Sequence, residues 1–199
     1  MRERKSLKII GILSAFIIGI SYNSLSSVNH NEKSFSSLKS NKTNIQELIY
    51  KTVKIGSSNL CIKLPYVLTS SNFNQPQENL DKLTKSEVFF FLKDKTFQGK
   101  ISYSVYNKDV EFSVEKGTNG GIANIKALPG VEKVDEKRDY FKKDLYEGCI
   151  YEAIVYRYGK SFEIKGATIK CGQETWAVII TYLNHTDKYI ADRIVNSLK

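Results

Sequence analysis

Between residues 147 and 183 the chain carries three β-rich segments in succession, 147–158, 161–170 and 175–183, separated only by Gly159-Lys160 and by a short stretch beginning Cys171-Gly172. β-Branched and aromatic residues crowd these segments, and gaps this short leave no room for a crossover. The segments therefore predict an antiparallel meander with tight turns. The chain then changes period. Ile190, Ala191, Ile194, Val195 and Leu198 fall on one helical stripe, with Asp192, Arg193, Asn196 and Lys199 opposite. Thr186 suits an N-cap and Asp187 the first turn of this predicted helix, 186–199. Such a helix must bury its stripe, and the open face of an antiparallel sheet is the partner at hand. The predicted fold class is α+β, helices packed on a twisted antiparallel sheet.

Upstream segments add to that sheet. Residues 52–55 and 60–64 flank Gly56-Ser-Ser-Asn59 and predict a hairpin that stops at Pro65. Residues 45–50 form a short amphipathic piece, and 70–86 is polar, with Pro76 and a helical turn carrying Leu80 and Leu83. The nearly all-apolar run 88–92 predicts a strand buried on both faces. Residues 100–106 alternate cleanly, with Ile101, Tyr103 and Val105 on one face, and Val110, Phe112 and Val114 repeat that alternation. Gly117-Thr-Asn-Gly-Gly121 reads as a turn, followed by a short helix over 122–128 that Pro129-Gly130 stops.

The N-terminus is of another kind. Residues 1–8 are basic, residues 9–20 form an uncharged and mostly apolar run, and small residues follow at Gly19/Ser21 and Ser24/Ser26. That order is a secretory signal, read as residues 1–26. Twelve residues of helix rise about 18 Å against a hydrocarbon core of about 30 Å, so cleavage is preferred over a retained anchor. Residues 21–44 hold eight Ser and five Asn without apolar periodicity. The stretch 27–44 is read as a disordered tether, and 45–199 as one globular domain.

The charge of +9 includes a net +3 within residues 1–26, leaving +6 for the remainder. Its lysines are scattered, which suits a solvated surface. For an exported protein the partner classes are another protein or an acidic envelope polymer, with nucleic acid set aside. Membrane contact is expected only through the N-terminal segment, if it is uncleaved. Three cysteines, Cys61, Cys149 and Cys171, cannot all pair. If residues 159–161 form a three-residue turn, Cys149 lies opposite Cys171 and the two are disulfide candidates, with Cys61 a buried thiol. A two-residue loop at Gly159-Lys160 instead pairs Cys149 with Lys170 and turns Cys171 to the other face.

The hairpin ending in Leu60-Cys-Ile-Lys-Leu-Pro65 and the alternating mid-chain strands carry a family resemblance. So do the Trp-bearing last strand Thr175-Trp-Ala-Val-Ile-Ile-Thr-Tyr182 and the closing helix 189–199. Together, over about residues 50–199, they resemble the PsbP/DcrB-like superfamily of exported proteins. That resemblance implies an α/β/α sandwich used mostly as a non-catalytic binding or assembly module, and it transfers no active-site residue.

Candidate sites are few. Two histidines, His30 in the tether and His185 in a turn, give a metal site or a Ser-His-Asp triad almost nothing to work with. No catalytic, cofactor-binding or metal residue is assigned, and no cofactor is expected. Glu152, between Ile150 and Ile154, is either an inward acid of raised pKa or a member of a solvated face, with Cys149, Tyr151, Ala153 and Val155 facing the core. Tyr151, Tyr156 and Tyr158, with Tyr103, Tyr106 and Tyr182, are either a binding platform or ordinary strand residues. Trp176 is assigned to the core. The expected function is an exported, non-enzymatic binding or assembly module of the bacterial envelope or extracellular space. The alternatives are a small secreted hydrolase using carboxylates, or a signal-anchored structural envelope protein.

Overall fold

The computed structural model describes residues 48–71 and 81–198. The segments read as signal and tether, residues 45–47, Pro76 and Leu80 lie outside the described residues. Strands β1 (Lys51–Lys54) and β2 (Cys61–Leu64) pair antiparallel around Gly56 as a two-stranded hairpin. Seven further strands form one sheet: β3 (Thr69–Ser71), β4 (Leu83–Asp94), β5 (Phe97–Tyr106), β6 (Val131–Lys143), β7 (Tyr146–Arg157), β8 (Lys160–Cys171) and β9 (Glu174–Tyr182). Their spatial order is β3-β4-β5-β9-β8-β7-β6, every neighbour antiparallel. Helix α1 (Val114–Lys126) connects β5 to β6, and helix α2 (His185–Asn196) follows β9. The protein is thus α+β on a seven-stranded antiparallel sheet.

The meander β7-β8-β9 and the strand β5 stand as the sequence predicts, and all five residues of the expected α2 stripe are buried. Asn184 caps that helix in place of Thr186, its side-chain oxygen accepting the Asp187 N–H at 2.9 Å. His185 is the first helical residue rather than part of a turn.

The region 107–126 departs further from expectation. Residues 107–113 form a connection and not a strand, and the helix begins at Val114, running through the glycine cluster read as a turn. Ser113 caps it by accepting the Lys116 N–H at 3.1 Å. Val114, Gly117, Thr118, Gly121, Ile122 and Ile125 make up its buried side. The reason is proximity: a Cβ on Gly117 would come within 2.5 Å of the Phe112 ring and 3.1 Å of Thr168 Cγ2 on β8. The helix lies close on the sheet at Gly117 because it has no side chain there. Leu83, assigned to a helical turn, opens β4, and the charged stretch 131–143 is the edge strand β6.

Each face of the sheet has its own cover. Hairpin and α2 pack on one face, burying Trp176, Ile101, Val178, Ile180 and Ile169 together with Ile62, Leu64 and the α2 stripe. There the Trp176 indole N–H donates to Ser58 Oγ at 3.0 Å, and the Ser58 hydroxyl donates to the Ile55 carbonyl at 2.7 Å. Helix α1 covers the other face over β6, β7 and β8, closing a smaller cluster of Ile122, Ile125, Tyr151, Ala153, Val155, Phe162, Ile164 and Ile179.

Candidate binding groove

On the hairpin and α2 face, α2 does not reach the outer strands, and a groove of about 210 Å³ opens beside it. Its floor follows from register. Lys137 on β6 stands opposite Glu152 on β7, which stands opposite Lys165 on β8. In the next row Asp135 stands opposite Ile154, and Ile154 opposite Glu163. Side chains directly opposite on adjacent strands share a face. The floor is therefore one row of alternating charge and one row in which two carboxylates flank an exposed isoleucine. With strands about 4.8 Å apart, Asp135 and Glu163 stand roughly 10 Å from each other across Ile154. Lys188 of α2 lines the wall and pairs with Glu152 Oε2 at 3.3 Å.

The charged row continues under the helix. Lys165 is buried, and its ammonium pairs with Glu152 Oε1 and with Asp192 Oδ1, the latter at 3.0 Å. Burial pulls the Lys165 pKa down, but the hydrogen bonds it donates to Glu152 and Asp192 more than offset this and leave it raised. Glu152 answers in the opposite sense. The hydrogen bond from Lys165 and the nearby Lys165 and Lys188 charges outweigh its partial burial and hold the carboxyl below its ordinary value. Asp135 pairs with Lys133 at 2.7 Å, whereas Glu136, which borders the groove, turns its carboxylate to the α1 face, where Arg138 at 2.9 Å and Lys126 at 3.4 Å hold it. Glu163 accepts a hydrogen bond from the Tyr182 phenol, whose pKa is raised by burial first and by Glu163 second.

Glu152 is therefore not an inward acid of raised pKa. Cys149, Tyr151, Ala153 and Val155 are buried, as the solvated-face reading of Glu152 requires, but Ile150 is buried as well because both faces are covered. Nor do the three tyrosines form one platform. Tyr151 is enclosed on the α1 face with its ring against Gly166, where a Cβ would stand 2.2 Å from it. Tyr156 lies on the other face under the Lys133 ammonium, 5.5 Å from its ring centre. Tyr158 sits in the β7–β8 turn with its ring over Gly130 and the Arg157 guanidinium at 5.3 Å. Tyr103, Tyr106, Tyr182 and Trp176 are core residues.

The disulfide reading needs the same correction. The β7–β8 loop is Tyr158-Gly159, both at positive φ, so Arg157 pairs with Lys160 and Cys149 with Thr168. Cys149 then faces α1 while Cys171 faces the hairpin side, and the two cannot bond. All three cysteines are free thiols; Cys61, expected to be buried, is exposed, and burial raises the Cys149 thiol pKa. The sequence signal that was missed is a tyrosine in a left-handed turn position. Nothing in the composition of residues 157–161 favours that over glycine followed by lysine.

Fold and groove define an α+β protein with a seven-stranded antiparallel sheet and a charged surface groove. No protein-family model matches the chain. No curated protein matches it either. A solved structure of a Pseudomonas aeruginosa protein of unknown function, PA94, is similar over 67% of this chain and 83% of that one, with 13% sequence identity and a TM-score of 0.36. Among the described residues no group of three or more His, Cys, Asp or Glu is placed to hold a metal ion. Among the same residues no helix is long and apolar enough to cross a membrane.

Proposed function

We propose that this protein is an exported, non-enzymatic binding or assembly module of the bacterial envelope or extracellular space, built as a PsbP/DcrB-like α/β/α sandwich. The signal-like order of residues 1–26 supports export. A sheet with α1 on one face and α2 on the other supports the sandwich. The observation that carries the binding reading is the state of the groove's carboxylates. Asp135 and Glu152 each hold a cationic partner, Glu163 holds a phenol, and Glu152 is pushed toward its charged form. A general acid needs the reverse, a carboxyl raised toward the working pH. The Asp135 and Glu163 carboxyl groups flanking Ile154 suit a cationic side chain with an apolar stem, such as lysine or arginine from a basic protein segment.

Capture from culture supernatant and envelope fractions tests this reading, with wild type compared against Glu163→Lys. A basic protein retained by wild type and lost by the variant is the expected outcome. Equal retention by both, or hydrolase activity abolished by Glu152→Gln, overturns it. Sequencing the exported protein should find an N-terminus between about Tyr22 and Val28, and intact residues 1–20 in the membrane pellet would replace the cleaved signal with an anchor.

A further inference from the structure

The edge strand β6 carries a charge pattern that complements itself when the strand is reversed. On the hairpin and α2 face its residues Lys133, Asp135, Lys137 and Asp139 are all exposed and alternate in sign. At thirteen residues it is the longest strand described, it contains neither Pro nor Gly, and among the described residues its outer edge has no strand beside it in the sheet.

We propose that this edge is an interface for a second copy of the same chain, β6 pairing antiparallel with β6 of the partner about a two-fold axis at Glu136. A two-fold axis perpendicular to the sheet keeps each face continuous across the junction, so odd residues meet odd residues. Centred at Glu136, Lys133 stands opposite Asp139 of the second copy and Asp135 opposite its Lys137, and symmetry doubles both. Moving the axis by one residue either way sets Asp135 or Lys137 opposite its own copy, and every formal pair among the four positions becomes a like-charge pair. Charged edges usually block association; this one blocks the adjacent registers and permits one. On the opposite face the two central Glu136 carboxylates meet, but each is already held by Arg138 at 2.9 Å and Lys126 at 3.4 Å. The partner strand would extend the sheet by backbone pairing, as in strand-addition complexes.

The test uses two single charge reversals, Asp139→Lys and Lys133→Asp, with self-association measured by sedimentation equilibrium at low salt. Each reversal turns two of the four cross-strand pairs repulsive, so each variant alone should self-associate roughly tenfold more weakly than wild type. Mixed one to one, the variants set the unchanged Lys133 of one against the unchanged Asp139 of the other, and the introduced lysine against the introduced aspartate. The mixed dimer should therefore return to within about threefold of wild type. Thermal melts confirm that both variants fold, since all four positions are exposed. Wild type that stays monomeric at millimolar concentration overturns the proposal. So does a mixture no tighter than its components. The test leaves Glu163 untouched, so its failure and failure of the groove reading are separable.

Discussion

The two covers of the sheet solve the same problem by opposite means. Helix α2 brings Ile190, Ile194 and Val195, with Leu198 just past its end, down onto Trp176 and its neighbours, with the hairpin beside it. Helix α1 brings Gly117, Thr118 and Gly121 along much of its length, and only Ile122 and Ile125 reach into the smaller cluster. On the first face the helix supplies the volume and the sheet receives it. On the second the sheet supplies it, through Tyr151, Phe162, Val155 and Ile164, and the helix supplies closeness. Large side chains on a cover tolerate no charge; small ones tolerate no added bulk.

That contrast ranks the expected effects of substitution. The largest belongs to Ile194→Asp, which buries an unpaired carboxylate at a fully enclosed position. A loss of about 4 kcal/mol or more, enough to leave much of the protein unfolded in a thermal melt, is expected. A melt unchanged by this substitution would show that α2 is not docked. On the α1 face the informative change is the opposite one, an addition. Gly166→Ala places a methyl 2.2 Å from the enclosed Tyr151 ring. Chemical denaturation should report a loss of about 2–3 kcal/mol, and a neutral or stabilising result would mean that the Tyr151 ring has room to shift on this face.

Smaller effects sharpen the comparison. Trp176→Phe keeps an aromatic ring but removes the donor to Ser58, and about 1–2 kcal/mol should be lost. Because Ser58 belongs to the hairpin, amide exchange in residues 51–64 should rise with it, while exchange in α1 stays unchanged. A uniform rise across both helices would contradict separate covers. The smallest effect is ionic. The lowered Glu152 pKa contributes stability above its unfolded value, about 4.3, and that contribution is lost as pH falls through the lower folded value. Raised Lys165 contributes below its unfolded value, about 10.4, and the contribution is lost as pH rises through the folded value. Glu152 is 41% exposed along its side chain, so screening keeps its share under about 1 kcal/mol. Glu152→Gln should therefore flatten the acid limb of stability against pH by that small amount.

The same contrast explains which parts were legible in the sequence. Helix α2 announces itself because its buried residues are large and apolar, and period 3.6 is visible only in such residues. Helix α1 is legible only in its last turns, where the predicted helix over 122–128 meets the observed 114–126; its first half is hidden, since Gly117, Thr118 and Gly121 carry no hydrophobic signal and glycine normally punctuates. Strand β6 is hidden for a related reason. At a sheet edge it alternates charge with charge, and only Val134, Tyr140 and Phe141 interrupt the charged residues from Glu132 to Lys143. The groove was half legible. Glu152 stands out in the sequence of β7, but its partners Lys165 and Lys188 come from β8 and α2, and only register and docking bring them together. The cysteine pairing failed on a single turn, where Tyr158 rather than Gly159 takes the first left-handed position and resets the register that places Cys149 opposite Thr168.

The binding role proposed for the groove turns on the protonation state of Glu152, and its carboxyl can be followed directly by carbon-detected NMR titration. The account predicts a midpoint below the ordinary glutamate value of about 4.3, moving upward in Lys165→Met, where the buried ammonium is replaced by an apolar chain of similar length. A midpoint above that value in the wild-type protein, unmoved by Lys165→Met, would contradict a charge-reading groove and return Glu152 to candidacy as a general acid.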